Sequence, residues 1–294
     1  MAIKKAVIPV AGHGTRLLPA TKSQPKEMLP VGRKPVVQYV VEELEAAGLK
    51  NILFVTGRKK RSIEDHFDKD PGLLKQLHRS GKSSIIKEMA YQEMNVSFFY
   101  VRQSEQKGLA DAISLARDFV EEESFVCALG DSIISNSHSG NSLLKRMIKV
   151  HEKNNAACTV ALERIDPGDA YRYGIVEVEE TDEKGVFSVK SLVEKPNIQD
   201  APSDLAIAAR YVFSPAIFEA IGMTLPDKSG ELQITDSISL LLKKGAPVYA
   251  VVLGKKEQRY DIGNYESYFK AFVDFALNDE KYGHMLRHHL ARKL

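Results

Sequence analysis

The sequence predicts an α/β fold: a Rossmann-like mixed, mostly parallel sheet flanked by helices, followed by a β-rich lobe and C-terminal helices. Strand-like and helical segments alternate up to about residue 155. These strands are continuous apolar runs, as expected when helices cover both faces of a parallel sheet. Beyond residue 155 most segments are strand-like, and residues 265–294 are helical again.

The first half contains the predicted βαβ alternation. Pro35 precedes a run of apolar residues that fall on one helical face, and Gly48 ends that helix. Strands are predicted at residues 5–10, 52–56, 96–102 and 125–129. Helices are predicted at residues 36–47, 62–67, 73–91, 109–120 and 143–154. This order is typical of parallel sheets with crossover helices.

The second half is predicted to be richer in strands. Strands are expected at residues 158–164, 174–178, 186–194, 207–212 and 248–252. Helices are expected at residues 215–221, 232–244, 265–277 and 280–293. Because no repeat or linker separates the segments, we expect one domain over residues 1–294, with halves at about 1–155 and 156–264 and C-terminal helices at 265–294.

Composition narrows the class of protein. A chain of 294 residues with 44% hydrophobic residues can bury a large core. Its 41 basic and 39 acidic residues are too evenly balanced for an electrostatic nucleic-acid binder. Two cysteines are too few for a disulfide framework, and no apolar run reaches the ~20 residues of a membrane helix. We therefore expect a cytoplasmic protein that binds neither nucleic acid nor membranes.

Residues 11–35 are the most informative segment and read AGHGTRLLPATKSQPKEMLPVGRKP. They follow the first predicted strand, and open α/β sheets bind ligands at the carboxyl ends of their strands. Gly12 and Gly14 leave backbone N–H groups uncovered, so an anion can approach several donors at once. We expect this loop to bind phosphate.

Two familiar phosphate loops do not fit this segment. A Walker A loop requires Gly-Lys-Ser/Thr, whereas Gly14 is followed by Thr15 and Arg16. A dinucleotide fingerprint requires a third glycine where Leu17 stands, and an acidic residue after the second strand, where none occurs. The loop therefore belongs to another class.

The pattern G-x-G-T-R-x-x-P-x-T-K followed by P-K-E-M-L-P resembles the signature of sugar-nucleotide pyrophosphorylases, nucleotidyltransferases that activate sugar 1-phosphates. The resemblance runs almost end to end, through V-R-Q near residue 103, G-D at 130, R-Y-G at 172, V-E-K-P at 193, S-D-L-A-I-A-A-R-Y-V-F at 203, G-E-L-Q-I-T-D at 230 and Y-D-I-G at 260. Within the family it is similar to bacterial glucose enzymes. It implies transfer of UMP from UTP to α-D-glucose 1-phosphate, giving UDP-glucose and pyrophosphate by Mg²⁺-assisted direct in-line attack.

This reaction brings two anions together, and each like-charged pair at ~4 Å costs about 4 kcal/mol at an effective dielectric of 20. The resemblance implies that Arg16 and Lys26 supply the catalytic positive charge, and a guanidinium can form a fork to two phosphate oxygens. It also implies that Asp131 and Asp261 hold the Mg²⁺. Alone, each residue would also fit an ordinary role in a surface ion pair, a solvated loop, a turn or a helix cap.

The resemblance also assigns the two substrate sites. Nucleotide binding is implied for Ala11, Gly12, Gly14, Thr15, Gln103 and Gly108. Sugar-phosphate binding, in the β-rich lobe, is implied for Tyr173, Gly174, Glu194, Lys195 and Tyr211. The Gln103 amide could donate to uracil O4 and accept from N3–H, a pattern that cytosine would not match. Tyr211 would fit a buried core position equally well.

Several alternatives remain open at this stage. Residues 108–112 read G-L-A-D-A where the glucose enzymes usually have G-L-G-H-A, so Asp111 replaces a histidine near the base pocket. A dTTP-dependent enzyme would read the same Gln103 contact. A non-catalytic nucleotide-sugar-binding regulatory subunit and a glycosyltransferase are further possibilities, although the Asp-x-Asp motif of the latter is missing at Asp131-Ser-Ile.

Two expectations concern the surface. The basic run at residues 58–61 is interpreted as a solvated face without function. The terminal helices and the oligomeric relatives favour a homodimer or homotetramer.

Overall fold

The computed structural model describes residues 3–135 and 140–293. Its strands are β1 (Lys5–Pro9), β2 (Pro30–Val31), β3 (Lys34–Pro35), β4 (Asn51–Thr56), β5 (Ser97–Arg102), β6 (Phe125–Ala128), β7 (Ser132–Ile134), β8 (Cys158–Arg164), β9 (Gly174–Glu180), β10 (Val186–Glu194), β11 (Leu205–Phe213), β12 (Val248–Val252) and β13 (Arg259–Asp261). Its helices are α1 (Val36–Ala46), α2 (Arg61–Phe67), α3 (Pro71–Arg79), α4 (Ser83–Glu88), α5 (Leu109–Ser114), α6 (Arg117–Val120), α7 (Leu143–Lys153), α8 (Ala216–Met223), α9 (Ile234–Lys243), α10 (Tyr265–Leu277) and α11 (Gly283–Ala291).

A mixed nine-stranded sheet in the order β5-β4-β1-β6-β11-β8-β12-β10-β9 forms the centre of the described chain. The strands β5, β4, β1 and β6 are parallel to one another, and β8 is parallel to β12. Only β11 and β10 run against the others, because each pairs antiparallel with both of its neighbours in this order. The predicted α/β class with a mixed, mostly parallel sheet is confirmed.

Strand β11 joins the two halves of the sequence. It pairs with β6 of the first half along one edge and with β8 of the second half along the other. All nine of its residues are buried. The glycine loop after β1 and the β-rich second half are therefore held by one continuous sheet.

The hydrophobic core lies on both faces of this sheet. Along β1, Val7 packs into a cluster that includes α5, α8 and α9 residues, whereas its neighbours Ala6 and Ile8 pack into a second cluster that includes α1 and α7 residues. Successive side chains of a strand point to opposite faces, so a strand covered by helices on both sides must be apolar throughout. This explains why the predicted strands were continuous apolar runs.

A short two-stranded ribbon, formed by β7 and β13, was not expected from the sequence. Its register pairs Ser132 with Asp261 and Ile134 with Arg259. The ribbon lies directly after β6, so it extends from the carboxyl edge of the central sheet. The predicted helix at residues 109–120 is also divided, into α5 and α6.

A buried ion pair supports the start of this ribbon. Arg210 on β11 is fully buried and donates through Nη2 to Glu43 of α1 (2.7 Å) and to the Ser132 carbonyl (2.8 Å). Another guanidinium N–H donates to the Ala209 carbonyl at 3.0 Å. A buried guanidinium needs such complete pairing, because an uncompensated buried charge is strongly destabilising. The pair thus fixes the backbone immediately after Asp131.

The basic run at residues 58–61 is only partly solvated, and the expectation was wrong for Lys60. This side chain is buried and pairs with the buried Glu27 at 2.7 Å. The partner lies 33 residues earlier in the chain. In the described ranges, no helix has the length and apolar character needed to cross a membrane.

Candidate active site

The glycine loop after β1 has the geometry needed for an anion. Gly14 has φ +68°, a left-handed conformation that favours glycine, and it begins the 3-10 turn Thr15–Leu17. Thr21 Oγ1 donates to the Gly14 carbonyl at 2.7 Å and fixes this turn. A Cβ atom on Gly12 would face Lys26 Nζ at 3.9 Å. Gly12 and Thr15 are exposed, so the loop backbone remains accessible next to Lys26.

Lys26 and Asp131 form an ion pair at the centre of the cleft. Both side chains are only 19% exposed. Burial alone would lower the pKa of Lys26, but the carboxylate of Asp131 and its acidic neighbours outweigh that effect and raise the pKa. Burial alone would raise the pKa of Asp131, but the Lys26 ammonium outweighs it and lowers the pKa. Both groups therefore carry their charges at neutral pH.

Glu27, next to Lys26, faces away from this pair. Its carboxylate is buried and accepts from Lys60. Burial raises the pKa of Glu27, and the nearby Lys60 and Lys26 ammonium groups oppose that rise. The alternation of charges from Lys60 through Glu27 and Lys26 to Asp131 keeps each buried charge compensated.

Asp131 and Asp261, the two predicted metal ligands, are brought together by the β7–β13 ribbon. The Ile262 N–H donates to the Asp131 carbonyl at 2.8 Å, and Asp261 pairs in register with Ser132. Burial, and then repulsion from Asp131, raise the pKa of Asp261. Two carboxylates that repel each other in a buried cleft are suited to a shared cation.

The donor set fits Mg²⁺, which takes one or two protein carboxylates and completes its shell with phosphate oxygens and water. Within residues 3–135 and 140–293, no third acidic, histidine or cysteine side chain joins Asp131 and Asp261 in a metal-binding group. The remaining ligands of a bound Mg²⁺ would thus come from substrate and solvent.

Arg16 lies on the same loop and is exposed. Its positive charge reaches Asp261, whose pKa it lowers in opposition to burial and to Asp131. No hydrogen bond or ion pair engages its guanidinium among the residues that the structure describes. The surface ion pair considered for this residue is therefore absent in that part of the chain, and the guanidinium is available to an incoming anion.

Gln103 and Gly108, which were assigned to base binding, lie in the segment between β5 and α5. Gln103 follows β5 and is 4% exposed, and its backbone N–H donates to the Thr56 carbonyl at 2.8 Å. Gln106 Nε2 approaches the Ala11 carbonyl at 3.5 Å. Gly108 has φ +102°, and a Cβ atom there would lie 2.5 Å from the Leu232 carbonyl oxygen, so only glycine fits.

Four of the five residues assigned to the sugar line a cavity of about 160 Å³. Glu194 Oε2 accepts from Thr235 Oγ1 at 2.9 Å, and a Cβ atom on Gly174 would approach the same oxygen at 3.3 Å. Tyr173 and Tyr211 line this cavity too, although Tyr211 also stacks on Phe213 in the core. Tyr211 thus packs in the core and also borders this cavity.

Lys195 lies at the edge of this group. Its side chain is 54% exposed and reaches Glu194 Oε1 at 3.2 Å. Its backbone N–H donates to the Tyr173 carbonyl at 3.0 Å, and its φ is +45°. Lys195 does not line the 160 Å³ cavity itself.

Sequence reasoning missed Arg259, which lies between Asp261 and the cavity of about 160 Å³. Arg259 lines that cavity and a neighbouring cavity of about 660 Å³ that Asp261 also lines. Its guanidinium lies 4.7 Å from the Tyr173 ring centre and donates to Glu163. The sequence signal that could have identified Arg259 is the period of two in a strand, which places Arg259 and Asp261 on the same face of β13.

Comparisons with known proteins agree with this arrangement. The sequence profile of the family described as "Nucleotidyl transferase" matches residues 5–277. A relative from Methanocaldococcus jannaschii, provisionally named UTP–glucose-1-phosphate uridylyltransferase, is 50% identical, with 92% of this chain and 93% of the relative covered.

Two solved structures are similar over most of the chain. A UDP-glucose pyrophosphorylase complexed with UDP-glucose has a TM-score of 0.83 and 39% identity, over 93% of this chain and 98% of the other. A UTP-bound UGPase from Acinetobacter baumannii has a TM-score of 0.88 and 34% identity, over 98% of this chain and 99% of the other. Because the family profile covers residues 5–277 and these relatives match over most of their length, the chain belongs to the nucleotidyl transferase family.

Proposed function

We propose that this protein transfers UMP from UTP to α-D-glucose 1-phosphate, forming UDP-glucose and pyrophosphate. The observation that carries the proposal is a continuous series of neighbours across the cleft. Gly12 faces Lys26, which pairs with Asp131, while Asp261 and Arg259 line a cavity with Tyr173. A nucleotide at the loop and a sugar at the cavity would therefore meet at Lys26 and the two aspartates. The relatives named above support UTP and glucose 1-phosphate as the pair.

We assign Lys26 and Arg16 to different phosphate groups of the substrates. The Lys26 side chain is only partly exposed, so its attraction for the α-phosphate and the incoming sugar phosphate is less screened than that of a solvated lysine. Arg16 is exposed, and its planar guanidinium suits two oxygens of the departing pyrophosphate. Holding the attacking oxygen in line supplies a further ~7–11 kcal/mol, so a covalent intermediate is unnecessary.

The residues that we assign to the sugar would fix its orientation. Glu194 can accept hydrogen bonds from sugar hydroxyls while Thr235 Oγ1 holds its carboxylate in place. The Tyr211 ring and Gly174 form walls of the cavity, and we assign the 1-phosphate to Lys195, which is next to Glu194. A cavity of about 160 Å³ suits one hexose ring.

The proposal extends to the setting of the enzyme. We propose one nucleotidyltransferase domain over residues 1–294, because β11 joins the sheets of both halves. We also propose a cytoplasmic location, where UTP is available, and the buried unpaired Cys127 and Cys158 suit a reducing compartment.

The first prediction concerns substrate choice. In an assay of pyrophosphate release, four triphosphates are combined with the 1-phosphates of glucose, galactose, mannose and N-acetylglucosamine. UTP with glucose 1-phosphate is expected to give the highest kcat/KM. A dTTP preference would favour the thymidylyl alternative, which the Gln103 contact also allows. Binding of UDP-glucose without turnover of any pair would favour the regulatory subunit.

The second prediction concerns Lys26. Lys26→Ala is expected to lower kcat about a thousandfold, because about 4 kcal/mol of attraction at ~4 Å is lost. Calorimetry should still detect UDP-glucose binding, which separates lost chemistry from lost folding. Lys50→Ala, an exposed lysine outside the quoted signature, is the control and should retain activity. An unchanged kcat in the Lys26 variant would contradict the role assigned here.

The third prediction concerns the metal, for which we propose Mg²⁺ held by Asp131 and Asp261 to neutralise phosphate charge. EDTA should abolish turnover, and added Mg²⁺ should restore it. Asp261→Asn should raise the Mg²⁺ concentration for half-maximal rate about tenfold or more. Its melting temperature should not fall, because repulsion from Asp131 already raises the pKa of Asp261. Turnover that persists in EDTA would exclude the metal.

The fourth prediction concerns assembly, for which we propose a homodimer or homotetramer. The C-terminal helices expose apolar side chains, with Phe269 58% and Phe272 39% accessible on α10 and Met285 67% accessible on α11. A second copy of the chain would cover this face. Sedimentation velocity should give a dimer or tetramer mass, and Phe272→Ser should shift it toward the monomer. A monomeric wild-type protein would refute the proposal.

A further inference from the structure

The amide of Gln103 is held by two acceptors. Gln103 Nε2 donates to Asp111 Oδ2 at 2.6 Å and to the Gly108 carbonyl at 3.3 Å. A carboxylate and a carbonyl can only accept hydrogen bonds. The amide NH₂ group must therefore face them, and a rotation by 180° would place Gln103 Oε1 against two other oxygen atoms.

This arrangement changes what Gln103 can offer to a base. Both hydrogens of its NH₂ group are committed to the protein, and only Oε1 remains available as an acceptor. The sequence suggested an amide that would both donate and accept. In the structure the donor function is already used by Asp111 and Gly108.

Asp111 is held in place by the backbone around it. It lies in the first turn of α5, which begins after Gly108. The Ala110 N–H donates to the Leu232 carbonyl at 3.0 Å, and the Leu232 N–H donates to the Lys107 carbonyl at 2.8 Å. Ser114 Oγ donates to the Asp111 carbonyl at 2.7 Å. The carboxylate therefore approaches Gln103 from a fixed backbone.

We propose that Asp111 is a positioning residue that sets base specificity by locking Gln103 as a pure acceptor toward the nucleotide. The inference rests on the proposed function, in which Gln103 contacts the base. Uracil and thymine present an N3–H donor to such an acceptor. Cytosine presents an N3 lone pair instead, so two acceptors would face each other and UTP would be selected over CTP.

The proposal gives a physical reason for an aspartate at position 111. A histidine at this position could donate or accept through a ring nitrogen according to its tautomer. An aspartate can only accept at neutral pH, so it fixes one orientation of the Gln103 amide. The discrimination thus depends on a side chain that need not touch the base.

The fifth prediction tests this role with Asp111→Ala and Asp111→Asn. In the alanine variant the Gln103 amide loses an acceptor and gains freedom to turn. The ratio of kcat/KM for UTP to that for CTP should fall about ten- to a hundredfold. The asparagine variant keeps the size of the side chain and one acceptor oxygen, so its ratio should lie between those of wild type and the alanine variant.

Two internal controls separate positioning from a structural role. The ratio for UTP to dTTP should stay unchanged, because both bases present the same N3–H and O4 groups. Glu105→Gln removes an exposed carboxylate that pairs with Lys107 in the same loop, and it should leave the UTP to CTP ratio unchanged. A structural defect would lower turnover of all three triphosphates by one common factor.

The outcomes are distinct. Equal losses for UTP and CTP, or an unchanged ratio in the alanine variant, would overturn the inference. If the alanine variant does not fold, the asparagine variant provides the comparison, and an unchanged ratio there would then overturn it. If wild type has no uridylyltransferase activity, the proposed function fails. The inference is then judged by calorimetric affinities for UTP and CTP in wild type and the variants.

Discussion

A partly buried ammonium and a partly buried carboxylate face each other at the centre of the cleft, and the surrounding structure compensates their charges and fixes their positions. Lys26 comes from the loop after β1 and Asp131 from the turn after β6. Such a pair is tolerated only when further polar partners satisfy its surroundings. Lys60 and Glu27 continue the alternation of charge behind Lys26.

Arg210 fixes the chain next to Asp131. Its fully buried guanidinium binds Glu43 and the Ser132 carbonyl, and thereby holds the chain that carries Asp131. Because β11 lies between β6 and β8, this residue links the ribbon to the middle of the sheet. The central sheet consequently supports both halves of the site. Rigid placement of the charged groups is what electrostatic catalysis requires.

Most of the central sheet could be predicted from the sequence because its signals are local. The strands β8, β10 and β12 have the bounds that their apolar runs predicted. The ribbon of β7 and β13 could not be predicted in this way. Its strands have three residues each and pair across a long stretch of chain, so neither shows a periodic pattern.

The motif residues of the candidate site could be named from the sequence, but the side chains that pair with them could not. The glycine loop, Lys26 and the two aspartates follow from motifs, and the structure brings them together. The buried roles of Lys60, Arg210 and Arg259 depend on residues far away in the sequence, and composition gives no sign of them. Local patterns locate chemical groups, whereas their orientation, as at Gln103, depends on tertiary contacts.

The position of β13 near the end of the sequence has a consequence for synthesis. A growing chain that has left the ribosome only as far as β12 already carries the glycine loop, Lys26 and Asp131, but it has no Asp261 and no Arg259. In that unfinished chain a single carboxylate would be neutralised by Lys26. The two carboxylates therefore come together only when translation is almost complete.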